Sequence, residues 1–170
     1  DVNIVQLKAE YLKNGILELG GGERLDGNEY LYSFPFGYSG RSHSRPLLSF
    51  DCPFNGRLWW FNPGSRVTYK HSLEGRNFVR GEVFVGTSDW SDAKGSVLVE
   101  ISSDGKSWHK VGNVVSRTSV DAELHKDIFP CKTVFVRITG GTNGTIQIAH
   151  YNFKGTVDGK PIRMFGETRY

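Results

Sequence analysis

The sequence predicts an all-β protein, an antiparallel β-sandwich of the jelly-roll type, and three observations support this fold class. Hydrophobic and polar residues alternate in several short runs between residues 66 and 155, which is the pattern of half-buried strands. The chain has 21 glycines, and many fall between these runs, where tight turns need positive φ angles. No helical segments of about 10–15 residues alternate with the strands, as a parallel α/β sheet would require.

The pattern predicts eight strands with turns between them. Asp104-Gly105 lies between two alternating runs and is a strong hairpin signal, and Leu25–Asn28 predicts a turn. Tyr11–Leu19 fits either a helical turn or a further strand. The predicted strands are Val2–Leu7, Leu47–Phe50, Arg66–Lys70, Phe78–Val85, Val97–Ile101, Trp108–Val115, Val134–Ile138 and Thr145–Lys154.

Length and composition set the class of protein. The 170 residues fit one domain, residues 1–170, with a core of its own. No apolar run approaches the roughly 20 residues that span a bilayer, so we expect no membrane segment. Because residue 1 is Asp, we expect a mature or excised segment, in which a removed export signal would leave no trace. We also expect an extracellular or periplasmic location. Cys52 and Cys131 form either one disulfide or two free thiols.

Aromatic residues are concentrated in the first half of the chain. Residues 30–61 contain ten of the 22 aromatics, and the five between Tyr30 and Tyr38 lie at two-residue spacing, so a strand would place them on one face. We interpret Tyr30 to Phe36 as core or edge-strand packing. Trp59 and Trp60 are adjacent, so one should enter the core while the other faces outward.

Positive charge is also unevenly distributed. The net charge is +3, but residues 31–80 hold seven Lys and Arg against two acids, a local +5. Six of the seven are Arg, which suits bidentate contacts to carboxylate, sulfate or phosphate groups. The excess is either a solvated face with ordinary ion pairs or a surface for an acidic ligand.

Motifs for catalysis are absent from the sequence. The five histidines lack metal-ligand spacing, and the chain has no nucleophile elbow, P-loop or dinucleotide fingerprint. No pair of acids falls in a recognisable glycosidase motif. We therefore predict a protein that is not an enzyme and has no cofactor. The lack of basic runs and of an oligonucleotide-binding motif argues against nucleic acid as a partner.

Three segments resemble the galactose-binding-like (discoidin, coagulation-factor type C) β-sandwich family. Val97–Val111 is similar to its hairpin with Ser-x-Asp-Gly followed by Trp, Val134–Thr139 to its strand with Val-Arg-Ile, and Ile146–Gly155 to its closing strand. The order and spacing of the three agree with the family. The resemblance covers about a third of the chain and implies a sandwich in which Arg137 pairs with an acid.

The resemblance also implies a function of carbohydrate-binding-module type. Relatives in secreted polysaccharide-degrading enzymes bind oligosaccharides or polysaccharides without catalysis, as monomeric modules linked to other domains. Many hold a structural calcium through an acid in the closing strand, where this chain has His150. Asp26 and Asn28 could still supply oxygen ligands, so a calcium site stays open.

Sugar binding requires exposed aromatic faces surrounded by planar polar groups. Two segments fit this description, one around Trp90 and one from Tyr38 to Arg45. Trp90 lies in the polar stretch Thr87–Asp92 beside Asp89, where a large aromatic has little core to join. The predicted ligand contacts are Trp90, Asp89, Trp59, Trp60, Tyr38, Arg41, His43 and Arg45.

Two alternatives stay open at this point. Arg and aromatic residues also anchor protein interfaces, so an extracellular adhesion domain fits the same residues. A small jelly-roll polysaccharide lyase is the lesser alternative, because Tyr38, Arg41 and His43 are close in sequence.

Overall fold

A computed structural model of the chain describes residues 19–33, 44–55, 58–88 and 94–165. The predicted strand Val2–Leu7 lies outside these ranges, as does all of Tyr11–Leu19 except Leu19. The described part contains twelve strands and one 3-10 turn, Lys126–Ile128. The strands are β1 (Glu23–Gly27), β2 (Glu29–Ser33), β3 (Leu47–Phe50), β4 (Trp59–Phe61), β5 (Arg66–Ser72), β6 (Phe78–Thr87), β7 (Ser96–Ser102), β8 (His109–Val115), β9 (Ser119–Glu123), β10 (Thr133–Gly140), β11 (Ile146–Val157) and β12 (Ile162–Phe165).

The strands form two sheets, which confirms the predicted antiparallel β-sandwich. The seven-stranded sheet has the order β12-β1-β2-β11-β6-β9, and β4 pairs with the first residues of β11 beyond the end of β2. The five-stranded sheet has the order β3-β5-β10-β7-β8. Every strand pairing in both sheets is antiparallel.

The core lies between the sheets and is formed by the alternating residues that the pattern identified. Val97, Val99 and Ile101 of β7 are fully buried, while the residues between them face outward. Tyr30 and Tyr32 are also fully buried, so the first two members of the aromatic series face the core as predicted. Phe34, Phe36 and Tyr38 lie outside the described residues.

The hairpin between β7 and β8 has the predicted turn. Gly105 adopts φ +73°, a left-handed conformation that glycine tolerates best. Asp104 Oδ1 accepts hydrogen bonds from the backbone N–H groups of Lys106 and Ser107, both at 2.8 Å. Together with the Ser102 hydroxyl, these bonds lower the pKa of Asp104 to about 2.

The predicted pairing of Arg137 with an acid is confirmed. Its Nη2 lies 2.7 Å from Glu100 Oε2, and the two residues are direct neighbours across β10 and β7. The guanidinium carbon also lies 3.8 Å from the ring centroid of Trp108, a cation–π contact. Trp108 is therefore half-buried on the outer side of the five-stranded sheet.

The two cysteines are free thiols. Cys52 is buried, and its Sγ lies 3.4 Å from the Ser65 hydroxyl. Burial raises the pKa of each thiol to about 11, which leaves both protonated and poorly nucleophilic at neutral pH.

Candidate functional site

Five of the predicted contact residues lie in segments outside the described residues. Tyr38, Arg41 and His43 fall in the segment 34–43, and Asp89 and Trp90 fall in 89–93. Their contact with a ligand stays a prediction. Trp59, Trp60 and Arg45 are described.

Trp59 is a core residue, which corrects its prediction as a ligand contact. Its side chain is fully buried, and the indole N–H donates to the Tyr69 hydroxyl at 2.9 Å. The rings of Phe50 and Phe54 pack against it with centroid distances of 5.1 and 5.0 Å. The sequence pattern could not decide which of the two tryptophans entered the core, because both phases of the alternation carried an aromatic.

Arg45 has a structural role, and its predicted contact with a ligand stays a prediction. Its Nε donates to Glu23 Oε2 at 2.7 Å, and its Nη2 donates to Glu23 Oε1 at 2.5 Å and to the Ser72 carbonyl at 2.9 Å. The Glu23 side chain has no solvent exposure, so this bidentate pair neutralises a carboxylate inside the sandwich. Sequence alone could not reveal a partner 22 residues away.

Trp60 faces away from the core on the outer side of the seven-stranded sheet. It is half-buried, and it lies directly opposite Gln147 of β11. The Ser88 hydroxyl donates to Gln147 Oε1 at 3.1 Å, and the Ser88 N–H donates to the Gln147 carbonyl at 3.0 Å. These bonds hold the Gln147 amide beside the indole.

The surface continues along β11 with His150 and Asn152. His150 is exposed and lies opposite Gly86 of β6, which is buried beneath the Phe84 ring and His150. Asn152 lies between Ser33 of β2 and Phe84 of β6. The Phe84 and His150 rings are neighbours, with centroids 6.5 Å apart.

We name this surface the Trp60 face and define it by Trp60, Phe84, Gln147, His150 and Asn152. Gln147 and Asn152 are five residues apart on one strand, so the surface extends about 17 Å along β11. It combines the Trp60 and Phe84 rings with two amides and an imidazole, and the amides and the imidazole can donate or accept hydrogen bonds. The Gln147 side chain is the most buried of the five, with 7% exposure. Such a surface suits an extended polar ligand with apolar ring faces better than a small ion.

The segments that carry the other predicted contacts join the fold at the border of the Trp60 face. Ser33, opposite Asn152, is the last described residue before 34–43. Ser88, bonded to Gln147, is the last before 89–93. Ser33 and Ser88 therefore both lie beside the Trp60 face.

A cluster of catalytic residue types exists inside the core, where a substrate cannot reach it. His71 is fully buried. Its Nε2 lies 2.8 Å from the Tyr151 hydroxyl, and its Nδ1 lies 3.2 Å from the Tyr30 hydroxyl. The Tyr30 hydroxyl in turn donates to Glu23 Oε1 at 2.6 Å.

This network assigns the proton positions of His71. The Tyr30 hydroxyl donates its hydrogen bond to Glu23, so its oxygen can only accept from His71 Nδ1–H. In the neutral imidazole Nε2 then carries no proton and accepts a hydrogen bond from the Tyr151 hydroxyl. Burial lowers the pKa of His71 well below its usual value and raises the pKa values of Tyr30 and Tyr151 well above theirs. The neutral network is therefore structural.

Metal ligands do not converge in the described part of the chain. No group of three or more His, Cys, Asp and Glu side chains is placed there to hold a metal ion. Asn28, one of the two predicted oxygen ligands, donates its amide to the carbonyls of Val157 and Gly159 at 2.8 and 2.9 Å. A structural calcium stays an untested expectation.

Within the described ranges, no helix has the length and hydrophobicity needed to cross a membrane.

Comparison with known proteins gives structural likeness only. No family model and no curated protein matches the sequence. A xylan-binding module, CBM15, has 11% identity over 83% of this chain and 94% of its own, with a TM-score of 0.40. A CBM61 module in complex with β-1,4-galactotriose has 13% identity over 91% and 98%, with a TM-score of 0.36. The CBM22-1–GH10 modules of a Clostridium thermocellum endo-1,4-β-D-xylanase, complexed with xylohexaose, have 11% identity over 86% and 30%, with a TM-score of 0.40. All three solved structures contain carbohydrate-binding modules, and this chain is a distant likeness of each.

Proposed function

We propose that this chain is a carbohydrate-binding domain without catalytic activity and that the Trp60 face contacts the sugar. The observation that carries the proposal is the row of Trp60, Gln147, His150, Asn152 and Phe84 across three adjacent strands. Aromatic faces pack against the apolar C–H faces of sugar rings, while amide and imidazole groups exchange hydrogen bonds with hydroxyls.

The length of the Trp60 face supports an oligosaccharide or polysaccharide as the ligand. A surface of about 17 Å along one strand is longer than a single sugar needs. Tyr38, Arg41, His43, Asp89 and Trp90 would add contacts from the two bordering segments. On this proposal the ligand lies across the outer side of the seven-stranded sheet.

We propose that the domain is a secreted module of a polysaccharide-degrading enzyme, monomeric and linked to other domains. This setting is supported by the resemblance of residues 97–155 to galactose-binding-like modules. Detection of a hydrolase or lyase domain in the parent polypeptide would test it, and a parent built only of adhesion domains would contradict it.

The cations of residues 31–80 bear on whether the ligand is acidic. Of the five described cations in residues 31–80, Arg45, Arg76 and Arg80 are bound to carboxylates or carbonyls of the chain. The other two, Arg66 and Lys70, lie on the five-stranded sheet. An acidic ligand, which the local excess of charge predicts, would therefore meet cations on the opposite side from Trp60.

The proposal predicts a large effect of Trp60→Ala on glycan binding. Loss of a central aromatic contact in a binding surface costs about 2 kcal/mol or more, so we expect affinity for a neutral oligosaccharide to fall roughly 30-fold. The measurement is a glycan array followed by calorimetry with the strongest neutral oligosaccharide. His150→Ala and Asn152→Ala should each weaken binding less, because each removes hydrogen bonds without the stacking surface.

Trp108→Ala is the matched control, because Trp108 is another half-buried tryptophan but lies on the opposite sheet. It should retain neutral-glycan affinity within about twofold. Equal losses of neutral-glycan affinity in the Trp60 and Trp108 variants would contradict the assignment of the Trp60 face as the sugar-binding surface. Binding of the wild type to no glycan on the array would contradict the function itself.

Protein-binding adhesion is the second candidate, and one observation favours it. Edge strand β3 exposes 54% of Leu48 and 45% of Phe50, and an apolar edge strand is a site where another chain can add a strand. If the array shows no glycan and the Leu48→Lys variant loses a protein partner that the wild type binds, the adhesion function replaces the carbohydrate function.

A further inference from the structure

The two outer faces of the sandwich differ in charge among the described residues. The outer face of the five-stranded sheet carries four cations and two carboxylates, a formal +2: Arg66, Lys70, Lys110, Arg137, Glu100 and Asp51, which follows β3 and accepts a hydrogen bond from the Arg66 N–H. The outer face of the seven-stranded sheet carries four cations and five carboxylates, a formal −1: Arg24, Arg80, Lys154, Arg163, Asp26, Glu29, Glu82, Asp121 and Glu123. We name the first surface the basic face.

Charges on the basic face are less compensated than those on the other sheet. Arg137 is paired with Glu100 at 2.7 Å, and Lys110 lies opposite the same Glu100 across β7 and β8. Arg66, Lys70 and Lys110 are the exposed cations of this face. On the seven-stranded sheet, by contrast, Arg80 contacts two carboxylates at 3.0 Å each. The excess of positive charge therefore faces solvent on one side of the molecule.

The spacing of the three exposed cations indicates what they can bind. Arg66 and Lys70 are four residues apart on β5, which separates them by about 13 Å. Lys110 is on β8, three strands from β5, or about 14 Å across the sheet. One sulfate or phosphate cannot reach all three, so the spacing fits an extended chain with several anionic groups.

Few polar side chains are accessible between the cations. Asn113 occupies an exposed outward position on β8, where its amide can exchange hydrogen bonds with a ligand. Thr68 and Ser102 are buried, and the Ser102 hydroxyl already donates to Asp104 Oδ1 at 2.9 Å. Thr139 Oγ1, on the same face between Arg66 and Leu98, is a buried oxygen without a hydrogen-bond partner in the described structure. Because this oxygen is buried, only a water molecule below the surface could donate to it.

The aromatic residues of the basic face are already engaged by cations. Lys70 Nζ lies 5.9 Å from the Phe135 centroid, and the Arg137 guanidinium carbon lies 3.8 Å from the Trp108 centroid. Single-stranded nucleic acids are bound largely by stacking of bases on aromatic faces. Because a cation covers a face of each ring, an acidic polysaccharide fits this surface better than a nucleic acid.

We propose that the basic face binds a polyanionic polysaccharide, bearing carboxylate or sulfate groups, at a site separate from the Trp60 face. The site goes beyond the proposed function, because it needs neither Trp60 nor the segments beside it. The domain would then contact neutral and acidic glycans through opposite sheets.

The experiment compares two triple variants that change net charge equally. R66Q/K70Q/K110Q removes the exposed cations of the basic face, and R24Q/K154Q/R163Q removes three from the other sheet. Both are tested at pH 7.5 for binding to immobilised polygalacturonate and chondroitin sulfate, with circular dichroism to confirm folding. We expect the first variant to lose about tenfold or more in affinity and the second to stay within about twofold.

The wild-type affinity should also fall steeply between 50 mM and 500 mM NaCl. Equal losses in the two triple variants, absence of binding to either polyanion, or binding to oligothymidylate as tight as to polygalacturonate would each overturn the proposal. R66Q/K70Q/K110Q should keep the wild-type affinity for the neutral oligosaccharide that Trp60→Ala loses. A negative result for polyanion binding at the basic face is therefore distinguishable from a negative result for sugar binding at the Trp60 face.

Discussion

Replacing Arg45 with Met is expected to lower the free energy of unfolding by about 3–5 kcal/mol, measured by chemical denaturation at pH 7.5. Glu23 has no exposed side-chain surface, whereas Arg45 keeps 28% exposure, so the substitution leaves a buried carboxylate without its cation. Burying an unpaired charge is among the largest penalties that a single substitution can cause.

The matched control is Arg80→Met. Arg80 also contacts carboxylates, but its side chain is 57% exposed and its partners Glu82 and Glu123 are partly exposed. An exposed pair of this kind contributes about 0–1 kcal/mol. The double variant Glu23→Gln/Arg45→Met should recover part of the loss, because it removes the buried charge. Equal effects of Arg45→Met and Arg80→Met would contradict the structural role of the pair.

The second large effect is loss of stability in mild acid through His71. Its folded-state pKa lies well below 6.5 because burial opposes the charged form, whereas the unfolded chain takes up the proton near pH 6.5. The unfolded state therefore binds more protons below that pH, and the contribution of neutral His71 is lost as pH falls from 6.5 toward the folded pKa. Between pH 7.5 and 5.0 we expect the free energy of unfolding to fall by about 2 kcal/mol.

Chemical denaturation at a series of pH values measures this slope. Carboxylates such as Asp104 titrate at lower pH, so this window isolates histidine from them. The His71→Gln variant should be less stable at pH 7.5 but should lose most of the slope. A variant that keeps the wild-type slope would show that His71 is not its source.

The strands with the clearest alternation were predictable from sequence, and those without it were not. β7 and β10 bury every second residue, and their bounds agree with the prediction within one or two residues. β9 has the sequence Ser-Val-Asp-Ala-Glu and is an edge strand with mostly exposed side chains. β9 is held to β6 by backbone hydrogen bonds. Because few of its side chains are buried, its sequence lacks the hydrophobic alternation that predicts a strand.

The end of β6 was predicted too early because of Gly86. A glycine after an apolar run predicts the end of a strand, yet β6 continues through it to Thr87. A Cβ at position 86 would lie 3.1 Å from the Phe84 ring and 3.4 Å from His150 Cβ. The glycine is thus explained by crowding, first from the Phe84 ring on the same strand and then from His150 on β11.

The candidate site was only partly predictable. Trp60 was identified because two adjacent tryptophans on a strand must face opposite ways. His150, Asn152 and Phe84 were missed as ligand contacts, because single polar or aromatic residues at outward positions resemble ordinary solvent-facing residues. Gln147 was missed as well, and only 7% of it is exposed. The signal that could have identified them is their shared outward phase on neighbouring strands, which requires knowing that β11 pairs with both β4 and β6.

The most direct test of sugar binding at the Trp60 face is an NMR titration of the ¹⁵N-labelled domain with the strongest neutral oligosaccharide from the array. We predict that chemical-shift changes will concentrate at the Trp60 indole N–H and at the amides of Gln147, His150 and Asn152, with the Trp108 indole N–H unchanged. Shift changes confined to the five-stranded sheet, or a bound oligosaccharide that leaves Trp60 unperturbed, would contradict the account.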